Sequence, residues 1–316
     1  MRIDVVIATY NRASLIGPAI GSFAANTWDG AARLIVVDNN SSDGTRAAVA
    51  TAQAAHPGGA IHYLFEPRQG KAYALNQGIA QSEADVVAFF DDDERLAPDW
   101  LSVLAEEFAD PAVAFAGGPV RPDWSAAAPG WMPQSGYGGV LSLVDNGPAR
   151  RRYGEPGFKG MLIGANAAIR RSVLRDVGPF TQQYEWAEDR EMYGRLLRAG
   201  VAGYYVPRLA VYHHVPSKRL TKDYFRRWAH AEGRTNGSAL PTTEAAAGPP
   251  PRSALGAPLW MWRQALGSAG RAAWGLARGR ADDAGTFAAE LDVRQFLGFY
   301  MERNLPFVPR RPHDRT

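Results

Sequence analysis

The sequence predicts an α/β protein with a mostly parallel, doubly wound sheet and a helical extension at its carboxyl end. Short apolar, β-prone runs alternate with helix-like stretches through the first half of the 316 residues, which is the order expected when a crossover helix follows each strand. The run from Val86 to Phe90 contains no polar residue, as expected of a strand buried on both faces. A hydrophobic content of 46% is that of a well-cored globular chain.

The predicted elements follow in chain order. Strands are expected over residues 3–8, 34–37, 61–65, 86–90, 113–116, 165–170, 203–206 and 210–212. Helices are expected over residues 13–25, 45–55, 71–80, 100–108, 172–177 and 189–199. Between residues 119 and 158 the pattern gives way to Gly, Pro and aromatic residues, and so long an irregular segment predicts a functional loop or lid.

Composition excludes several classes of function. The absence of Cys excludes a disulfide framework, a thiolate zinc site and thiol catalysis. A net charge of +3 does not indicate a uniformly basic nucleic-acid binder. We expect no signal peptide, because the chain enters its first predicted strand at Ile3. No run approaches the roughly 18 uncharged apolar residues of a membrane span.

The run Asp91-Asp92-Asp93-Glu94 directly follows the most apolar predicted strand. Ligands of open α/β sheets bind outside the carboxyl ends of the strands. Four adjacent carboxylates repel one another unless a positive charge neutralises them, and oxygen ligands suit Mg²⁺ or Mn²⁺. The alternative is an acidic turn that begins the next helix. We favour the metal, because one or two acids would suffice for a turn.

Two further polar segments follow predicted strands. Thr9, Tyr10 and Arg12 come after the first strand, and Asp38 comes after the second. Tyr10 offers a face on which a base can stack, and the Asp38 carboxylate can accept an imide N–H. The alternative is that Asp38 begins a turn and Asn11 caps a helix. Three such segments at one sheet edge favour a shared binding cleft.

These motifs resemble those of the family 2 glycosyltransferases of GT-A fold. The matching segments, over about residues 1–215, are Ile7-Ala8-Thr9-Tyr10-Asn11-Arg12, Val36-Val37-Asp38-Asn39-Asn40-Ser41-Ser42-Asp43-Gly44-Thr45 and Phe90-Asp91-Asp92-Asp93. The resemblance implies a nucleotide-diphosphate sugar donor, a divalent cation and, usually, inversion at the anomeric carbon. It does not cover the tail.

The resemblance also implies roles for individual residues. Thr9, Tyr10 and Asp38 would hold the nucleoside, with Arg12 and Asp92 beside the donor. Asp91 and Asp93 would be the outer members of the Asp-x-Asp motif, with Asp93 the direct metal ligand. Lys71 stands in a segment similar to the family's basic, Gly-containing turn. Asn166, in a Gly-x-Asn segment, would contact the donor sugar or phosphate, and a structural strand residue is its alternative.

Two more site predictions lie further along the chain. Asp189 resembles the family's catalytic base, with Glu188 in reserve, and the alternative is an ordinary acidic helix start. His213 and His214 follow the last predicted strand, where many GT-A enzymes place a metal-binding His. An imidazole ligand would favour Mn²⁺. The sequence does not choose between the two histidines, and a structural His is the alternative.

The predicted function is transfer of a sugar, most plausibly from a UDP-sugar, to a glycan or a lipid-linked acceptor. A catalytically silent scaffold of the same fold and a retaining transferase remain alternatives. We expect a catalytic domain over residues 1–235, divided into a nucleotide-binding half (1–118) and an acceptor half (119–235). Residues 236–253 are predicted as a linker and residues 254–316 as a helical tail.

Part of the tail, residues 255–280, has the pattern of an interfacial membrane helix. On a helical projection, Leu255, Leu259, Trp262, Leu266, Ala273 and Ala277 share one side. Arg263, Arg271 and Arg278 lie together on another side, bordered by Trp260 and Trp274. The alternatives are packing on the catalytic domain or a dimer interface. We therefore expect a cytoplasmic protein, with contact to the inner membrane face as one arrangement of its tail.

Overall fold

The structure, a computed structural model, describes residues 1–133, 138–182, 188–239 and 252–304. Its strands are β1 (Arg2–Thr9), β2 (Ala31–Asp38), β3 (Ile61–Phe65), β4 (Val86–Phe90), β5 (Glu94–Leu96), β6 (Val113–Gly117), β7 (Val120–Trp124), β8 (Arg151–Arg152), β9 (Asn166–Arg170), β10 (Ala202–Tyr205), β11 (Val211–Val215), β12 (Ser253–Ala254) and β13 (Ala257–Pro258). Its α-helices are α1 (Ile16–Ala24), α2 (Thr45–Ala55), α3 (Lys71–Gln81), α4 (Trp100–Phe108), α5 (Arg171–Val177), α6 (Glu188–Arg198), α7 (Lys222–Ala239), α8 (Leu259–Ala277) and α9 (Ala284–Asn304).

The main sheet has eight strands in the order β3-β2-β1-β4-β9-β6-β10-β8. The pairs β3-β2, β2-β1, β1-β4 and β6-β10 are parallel. The strand β9 is antiparallel to both β4 and β6, and β8 is antiparallel to β10. The prediction of a mostly parallel α/β sheet is therefore confirmed. The local hydrophobic pattern does not distinguish the antiparallel strands of this sheet from the parallel ones.

Alternation of side chains along the strands builds a core on each face of this sheet. In β4, Val86, Ala88 and Phe90 belong to one buried cluster, whereas Val87 and Phe89 belong to the other. Successive side chains of a strand point to opposite faces, so a continuous apolar run is what a strand covered by helices on both faces requires. The polar residues at the strand ends therefore lie at the edge of the sheet.

A second, three-stranded sheet has the order β5-β11-β7. The register of β11 against β5 pairs His213 with Glu94, so the strand returns beside the acidic run that follows β4. The strand β7 falls within residues 119–158, which we predicted to be irregular. Only Val120 of its five residues is buried, and the following residues include Arg121 and Asp123. A search for apolar runs therefore does not detect this strand.

The chain divides into two compact units. One comprises residues 1–123 and 143–214, and the other comprises residues 124–142 and 215–316. In the second unit, α7 packs on α9, where Gly233 and Gly237 face the backbone of the partner helix, and Arg226 pairs with Glu290 at 2.8 Å. The sequence-based domain boundaries stay a prediction.

The predicted linker begins too early. Helix α7 continues through Ala239, so residues 236–239 are helical. Gly237 led us to end the domain there, but its lack of a side chain serves close helix packing, because an added Cβ would lie 2.9 Å from the Phe299 carbonyl oxygen. Within the described residues, no helix has the length and hydropathy needed to cross a membrane.

Candidate functional site

The loops that follow β1 and β2 are fastened to each other by side chains of their motifs. Asn11 adopts a left-handed backbone with φ of 52°, and its Oδ1 accepts a hydrogen bond from the Ser42 amide at 2.8 Å. The Asn11 amide in turn donates to Ser41 Oγ at 2.9 Å, and the Arg12 amide donates to Thr45 Oγ1 at 2.9 Å. Several polar residues of these motifs therefore shape the cleft rather than face it.

Asp38 lies at the end of β2 and is buried. One carboxylate oxygen accepts from the Ser41 amide at 2.9 Å, and the other accepts from the Tyr63 hydroxyl at 2.9 Å. Burial and the Asp38 carboxylate raise the pKa of Tyr63 to about 12, so this hydroxyl stays a donor. A carboxylate has about four acceptor sites, so Asp38 retains capacity for a ligand N–H.

Thr9 and Tyr10 stand beside Asp38 at the end of β1. Thr9 pairs with Asp38 across the parallel strands, and its buried hydroxyl interacts with the Asp92 carboxyl without making a hydrogen bond of standard geometry to a described residue. Tyr10 is 47% exposed and presents an aromatic surface to solvent. A buried polar group and an exposed ring beside the Asp38 carboxylate make this corner a candidate binding site.

Asn39 holds the loop that precedes α3. Its Nδ2 donates to the carbonyl of Arg68 at 2.6 Å, and its Oδ1 accepts from the Gly70 amide at 2.7 Å. Gly70 has φ of 137°, a conformation that residues with a Cβ rarely adopt. The two Asn39 hydrogen bonds and the Gly70 backbone together fix the position of Lys71, the first residue of α3.

Lys71 interacts with acidic residues of two segments that are far apart in the sequence. Its Nζ donates to Asp91 Oδ1 at 2.5 Å. Burial alone would lower the pKa of Lys71, but the carboxylates of Asp91, Glu188 and Asp189 outweigh it and raise that pKa above its ordinary value. Lys71 is therefore a permanent cation between the acidic turn after β4 and the start of α6.

The run from Asp91 to Glu94 forms a tight turn. Glu94 Oε2 accepts from the Asp91 amide at 2.9 Å, and the Glu94 amide donates back to the Asp91 carbonyl at 3.2 Å. Burial, followed by the charges of Asp91 and Asp93, raises the pKa of Glu94 well above its usual range. Glu94 therefore shapes the turn. For Asp92, burial together with the charge of Asp93 raises the pKa to about 7.

Arg12 and His213 approach the acidic turn from two sides. Arg12 Nε lies 3.5 Å from Asp92 Oδ1, and its Nη2 lies 3.8 Å from Asp93 Oδ2. His213 Nε2 lies 3.6 Å from Asp93 Oδ2. His214, the next residue of β11, points the other way, with its Nδ1 4.0 Å from Asp123. The structure thus brings the side chain of His213, and not that of His214, to the Asp93 carboxylate, while the His214 amide donates to the Asp93 carbonyl at 2.9 Å.

Asp189 lies in the first turn of α6 and contacts the segment before β9. Its Oδ2 accepts from the Gly164 amide at 3.2 Å. A Cβ at Gly164 would lie 3.6 Å from the Asp189 Cβ and 4.0 Å from Lys71 Nζ, so these three residues meet at one point. Glu188 is half-buried, and burial raises its pKa. Trp186 lies outside the described residues.

Asn166 is a correction to the sequence prediction, because its side chain does not reach the cleft. It is fully buried. Its Oδ1 accepts from the Trp100 indole at 3.1 Å, and its Nδ2 donates to the carbonyls of Pro119 at 3.1 Å and Leu209 at 2.6 Å. Both amide N–H groups are used. Asn166 joins α4, β9 and two loops, which is the structural alternative considered above.

Within the described part of the chain, no group of three or more His, Asp or Glu side chains is arranged to hold a metal ion. The residues are nevertheless compatible with a divalent cation. The Asp93 carboxylate lies beside the His213 imidazole, and Asp91 begins the same turn. The pKa of neighbouring Asp92 is raised by burial and by the charge of Asp93. Mg²⁺ commonly binds through one or two carboxylates together with substrate phosphates, so a complete protein cage is not required.

Comparison with known proteins identifies the family. The family model "Glycosyl transferase family 2" matches residues 4–178, more than half of the chain, from within β1 to the end of α5. The chain belongs to this family. It is therefore an enzyme of the glycosyltransferase class, and the resemblance drawn from the three motifs is confirmed.

Named relatives are distant. The succinoglycan biosynthesis protein ExoM of Rhizobium meliloti is 28% identical over 245 residues, which cover 76% of this chain and 75% of that protein. The glucosyl-dolichyl phosphate glucuronosyltransferase of Haloferax volcanii is 28% identical over 184 residues, which cover 57% and 56% of the two chains. The chain thus spans three quarters of the first relative and little more than half of the second.

A solved structure shares the fold. The mannosyltransferase of Pyrobaculum calidifontis superposes with a TM-score of 0.58 at 22% identity, covering 93% of this chain and 86% of that one. Such a likeness, at this identity, concerns the fold. The GT-A fold implied by the motif resemblance is confirmed.

The structure therefore assembles most of the predicted site at the carboxyl edge of the main sheet. It also adds four residues that sequence reasoning did not assign: Tyr63, Asn39, Gly70 and, as a turn-forming acid, Glu94. Tyr63 and Asn39 act on residues that are distant in the sequence. The sequence did show that Asn39 adjoins Asp38 and that Gly70 adjoins Lys71. That adjacency does not reveal that Asn39 and Gly70 contact each other.

Proposed function

We propose that this family 2 enzyme is an inverting glycosyltransferase. Its donor would be a nucleotide-diphosphate sugar, with a UDP-sugar as the leading candidate, and its acceptor would be a hydroxyl of a glycan or a lipid-linked saccharide. As part of this proposal we keep the expectation that the enzyme works in the cytoplasm.

One geometric observation carries the proposal: Lys71 contacts the Asp91 carboxylate and also lies beside the segment that binds Asp189. The Lys71–Asp91 contact is 2.5 Å, and Asp189 accepts from the amide of Gly164, where an added Cβ would lie 4.0 Å from Lys71 Nζ. The acidic turn after β4 and the Asp189 carboxylate are thus held near each other by different segments of the chain. Inversion needs two separate acidic groups, because the leaving diphosphate and the attacking hydroxyl must lie on opposite faces of the anomeric carbon.

In the proposed reaction Asp189 acts as the general base. The acceptor oxygen forms a bond to the anomeric carbon while its proton moves to the Asp189 carboxylate. The bond from the anomeric carbon to the diphosphate oxygen breaks, and its electron pair stays on the diphosphate. The Gly164 amide orients the Asp189 carboxylate.

The nucleoside is proposed to bind at Thr9, Tyr10 and Asp38. The Thr9 hydroxyl, the exposed Tyr10 ring and the Asp38 carboxylate offer a polar contact, a stacking surface and an acceptor for an imide N–H. Arg12, beside Asp92 and Asp93, is placed to meet an anionic donor. An imide N–H is present in uracil, which is the reason for proposing UDP.

A divalent cation would be held by Asp93 and His213, with Asp91 near it. When bound, it would stabilise the charge that develops on the leaving diphosphate. The solved mannosyltransferase that shares the fold is in complex with GDP-Man and Mn²⁺, which supports metal use by this fold. Its donor carries guanine, so GDP belongs in the donor test beside UDP.

The acceptor proposal is supported by the names of the relatives. One is a succinoglycan biosynthesis protein, and the other is named for transfer of glucuronic acid to glucosyl-dolichyl phosphate. The first name points to a polysaccharide product and the second to a lipid-linked acceptor. Both classes present a sugar hydroxyl to the base.

The experiment that tests this function is a thermal-shift panel of UDP, GDP, TDP and CDP, each with and without Mn²⁺. We expect one nucleotide to raise the unfolding midpoint strongly in the presence of metal. Asp93→Ala should abolish the metal-dependent part, whereas Asp29→Ala, which changes an exposed acid, should retain it. If no nucleotide shifts the midpoint under any condition, the donor proposal fails.

A further inference from the structure

Helix α8 has an apolar and aromatic side that no described residue covers. Trp260 is 57% exposed, Leu266 is 68% exposed and Trp274 is 62% exposed. At about 100° per residue these side chains fall with Leu259 and Arg263 within an arc of about 120°. We call these five residues the outer face of α8. Single exposed apolar residues are ordinary, but a continuous stripe of them along a helix indicates a binding surface.

The outer face is exposed because α8 packs on α9 through its opposite side. Ala265, Ser268 and Gly275 are the buried residues of this helix. Ser268 Oγ donates to Asp292 Oδ2 at 2.8 Å, and a Cβ at Gly275 would lie 2.1 Å from Thr286 Oγ1. The contact with α9 thus relies on small residues, and the large apolar ones remain outside.

This arrangement differs from the one that the sequence pattern suggested. Of the residues predicted to share the apolar side, Trp262 packs within the second unit, with its ring centroid 4.7 Å from that of Phe296. Leu259 and Leu266, predicted to lie on the same side, are exposed. Packing within the second unit therefore does not use most of the predicted apolar side.

The charge around the outer face is positive. The sequence has five arginines and no acidic residue between Ala245 and Ala281. Arg278 stacks on the Trp274 ring, with its guanidinium carbon 4.2 Å from the ring centroid. Arg271 lies 3.7 Å from Asp292 and is partly neutralised. Among the described residues, neither Arg263 nor Arg278 has an acidic partner within ion-pair distance.

We propose that the outer face of α8 docks on the surface of an anionic lipid bilayer. Leucine and tryptophan side chains would enter the boundary between headgroups and acyl chains, and the arginines would meet lipid phosphates. A second copy of the chain fits this surface less well. A two-fold pairing of the face with itself would bring the arginines of both copies together, without acids on the face to neutralise them.

The test is co-sedimentation of the full chain with vesicles of phosphatidylcholine alone and of phosphatidylcholine with phosphatidylglycerol. Binding is expected to the anionic vesicles and to weaken as salt is raised. The variant Trp260→Ser/Trp274→Ser should bind at least about tenfold more weakly. The variant Arg263→Gln/Arg278→Gln should lose roughly 25-fold, about fivefold per arginine.

The matched control is Leu297→Gln, which removes an exposed leucine of α9 and should bind as the parent chain does. All variants change exposed side chains, so unchanged circular dichroism and an unchanged unfolding midpoint are expected. Equal vesicle binding by the parent and the tryptophan variant would overturn the proposal. A second result would also overturn it. In that result the parent chain binds no vesicles, and light scattering shows a dimer for the parent chain but a monomer for the tryptophan variant.

Discussion

Lys71 and Asp91 form a 2.5 Å ion pair across the carboxyl edge of the main sheet. Lys71 begins α3 and Asp91 directly follows β4, so the pair joins two segments of the cleft that are 20 residues apart in the sequence. The carboxylates of Glu188 and Asp189, on a third segment, also raise the pKa of the lysine. The pair therefore couples the proposed leaving-group site electrostatically to the proposed base.

Lys71→Met should leave the acidic turn after β4 with a negative charge that no lysine neutralises. The variant should also lower kcat/KM by about tenfold, because the Asp91 carboxylate loses the cation that it contacts at 2.5 Å and a tenfold loss corresponds to about 1.4 kcal/mol of electrostatic stabilisation. The measurement is kcat/KM, with Lys218→Met as the control at an exposed lysine. An unchanged kcat/KM in Lys71→Met would separate this lysine from the site.

Asp189→Asn should retain donor binding and lose turnover. Asparagine keeps the shape of the side chain but cannot take a proton from the acceptor, and a positioned general base contributes roughly 10²- to 10⁴-fold. The measurements are the nucleotide-induced thermal shift and kcat. Asp176→Asn, at an exposed acid of α5, is the control. Undiminished kcat in Asp189→Asn would remove this residue from the base role.

His213→Gln should raise the Mn²⁺ concentration needed for half-maximal activity, whereas His214→Gln should not. The reason is position: His213 Nε2 lies 3.6 Å from Asp93, and the neighbouring His214 lies near Asp123. A metal titration of both variants compares two adjacent residues of one strand. Equal responses of the two variants would argue against His213 as a ligand.

Asn166→Ala should destabilise the fold by about 3 kcal/mol, because it leaves a buried indole N–H and two buried carbonyls without partners. Urea unfolding measures this loss. At a temperature where the variant is folded, its KM for the donor should match that of the parent enzyme. A large rise in KM with unchanged stability would restore the donor-contact role first predicted for Asn166.

Gly70→Ala should cost about 1–3 kcal/mol of stability, since φ of 137° is unfavourable for alanine. Its added Cβ would also approach the Tyr73 ring at 3.1 Å, and the displacement should lower kcat by moving Lys71. Gly58→Ala is the matched control, because a Cβ there meets nothing within 4 Å. Equal stability of the two variants would contradict the strain assigned to Gly70.

Local patterns were sufficient for much of the fold. The bounds predicted for α2, α4, β3 and β4 match the structure to the residue, because an apolar run or a helical period ends where turn-forming residues begin. The sequence pattern did not predict α7, and the predicted linker begins inside this helix. Glycine is usually unfavourable within a helix, but the glycines of α7 allow close packing on α9. That contact joins residues about sixty positions apart and is invisible locally.

The sequence by itself determined the family, the α/β class and the segments that meet at the carboxyl edge, because strand ends and motif spacing are local properties of the chain. The tertiary structure alone decided how each side chain is used. It turned Asn166 inward to join buried loops, chose His213 over His214 beside Asp93, and set Lys71 between Asp91 and the start of α6. Those outcomes depend on which distant partner satisfies each polar group once water is excluded.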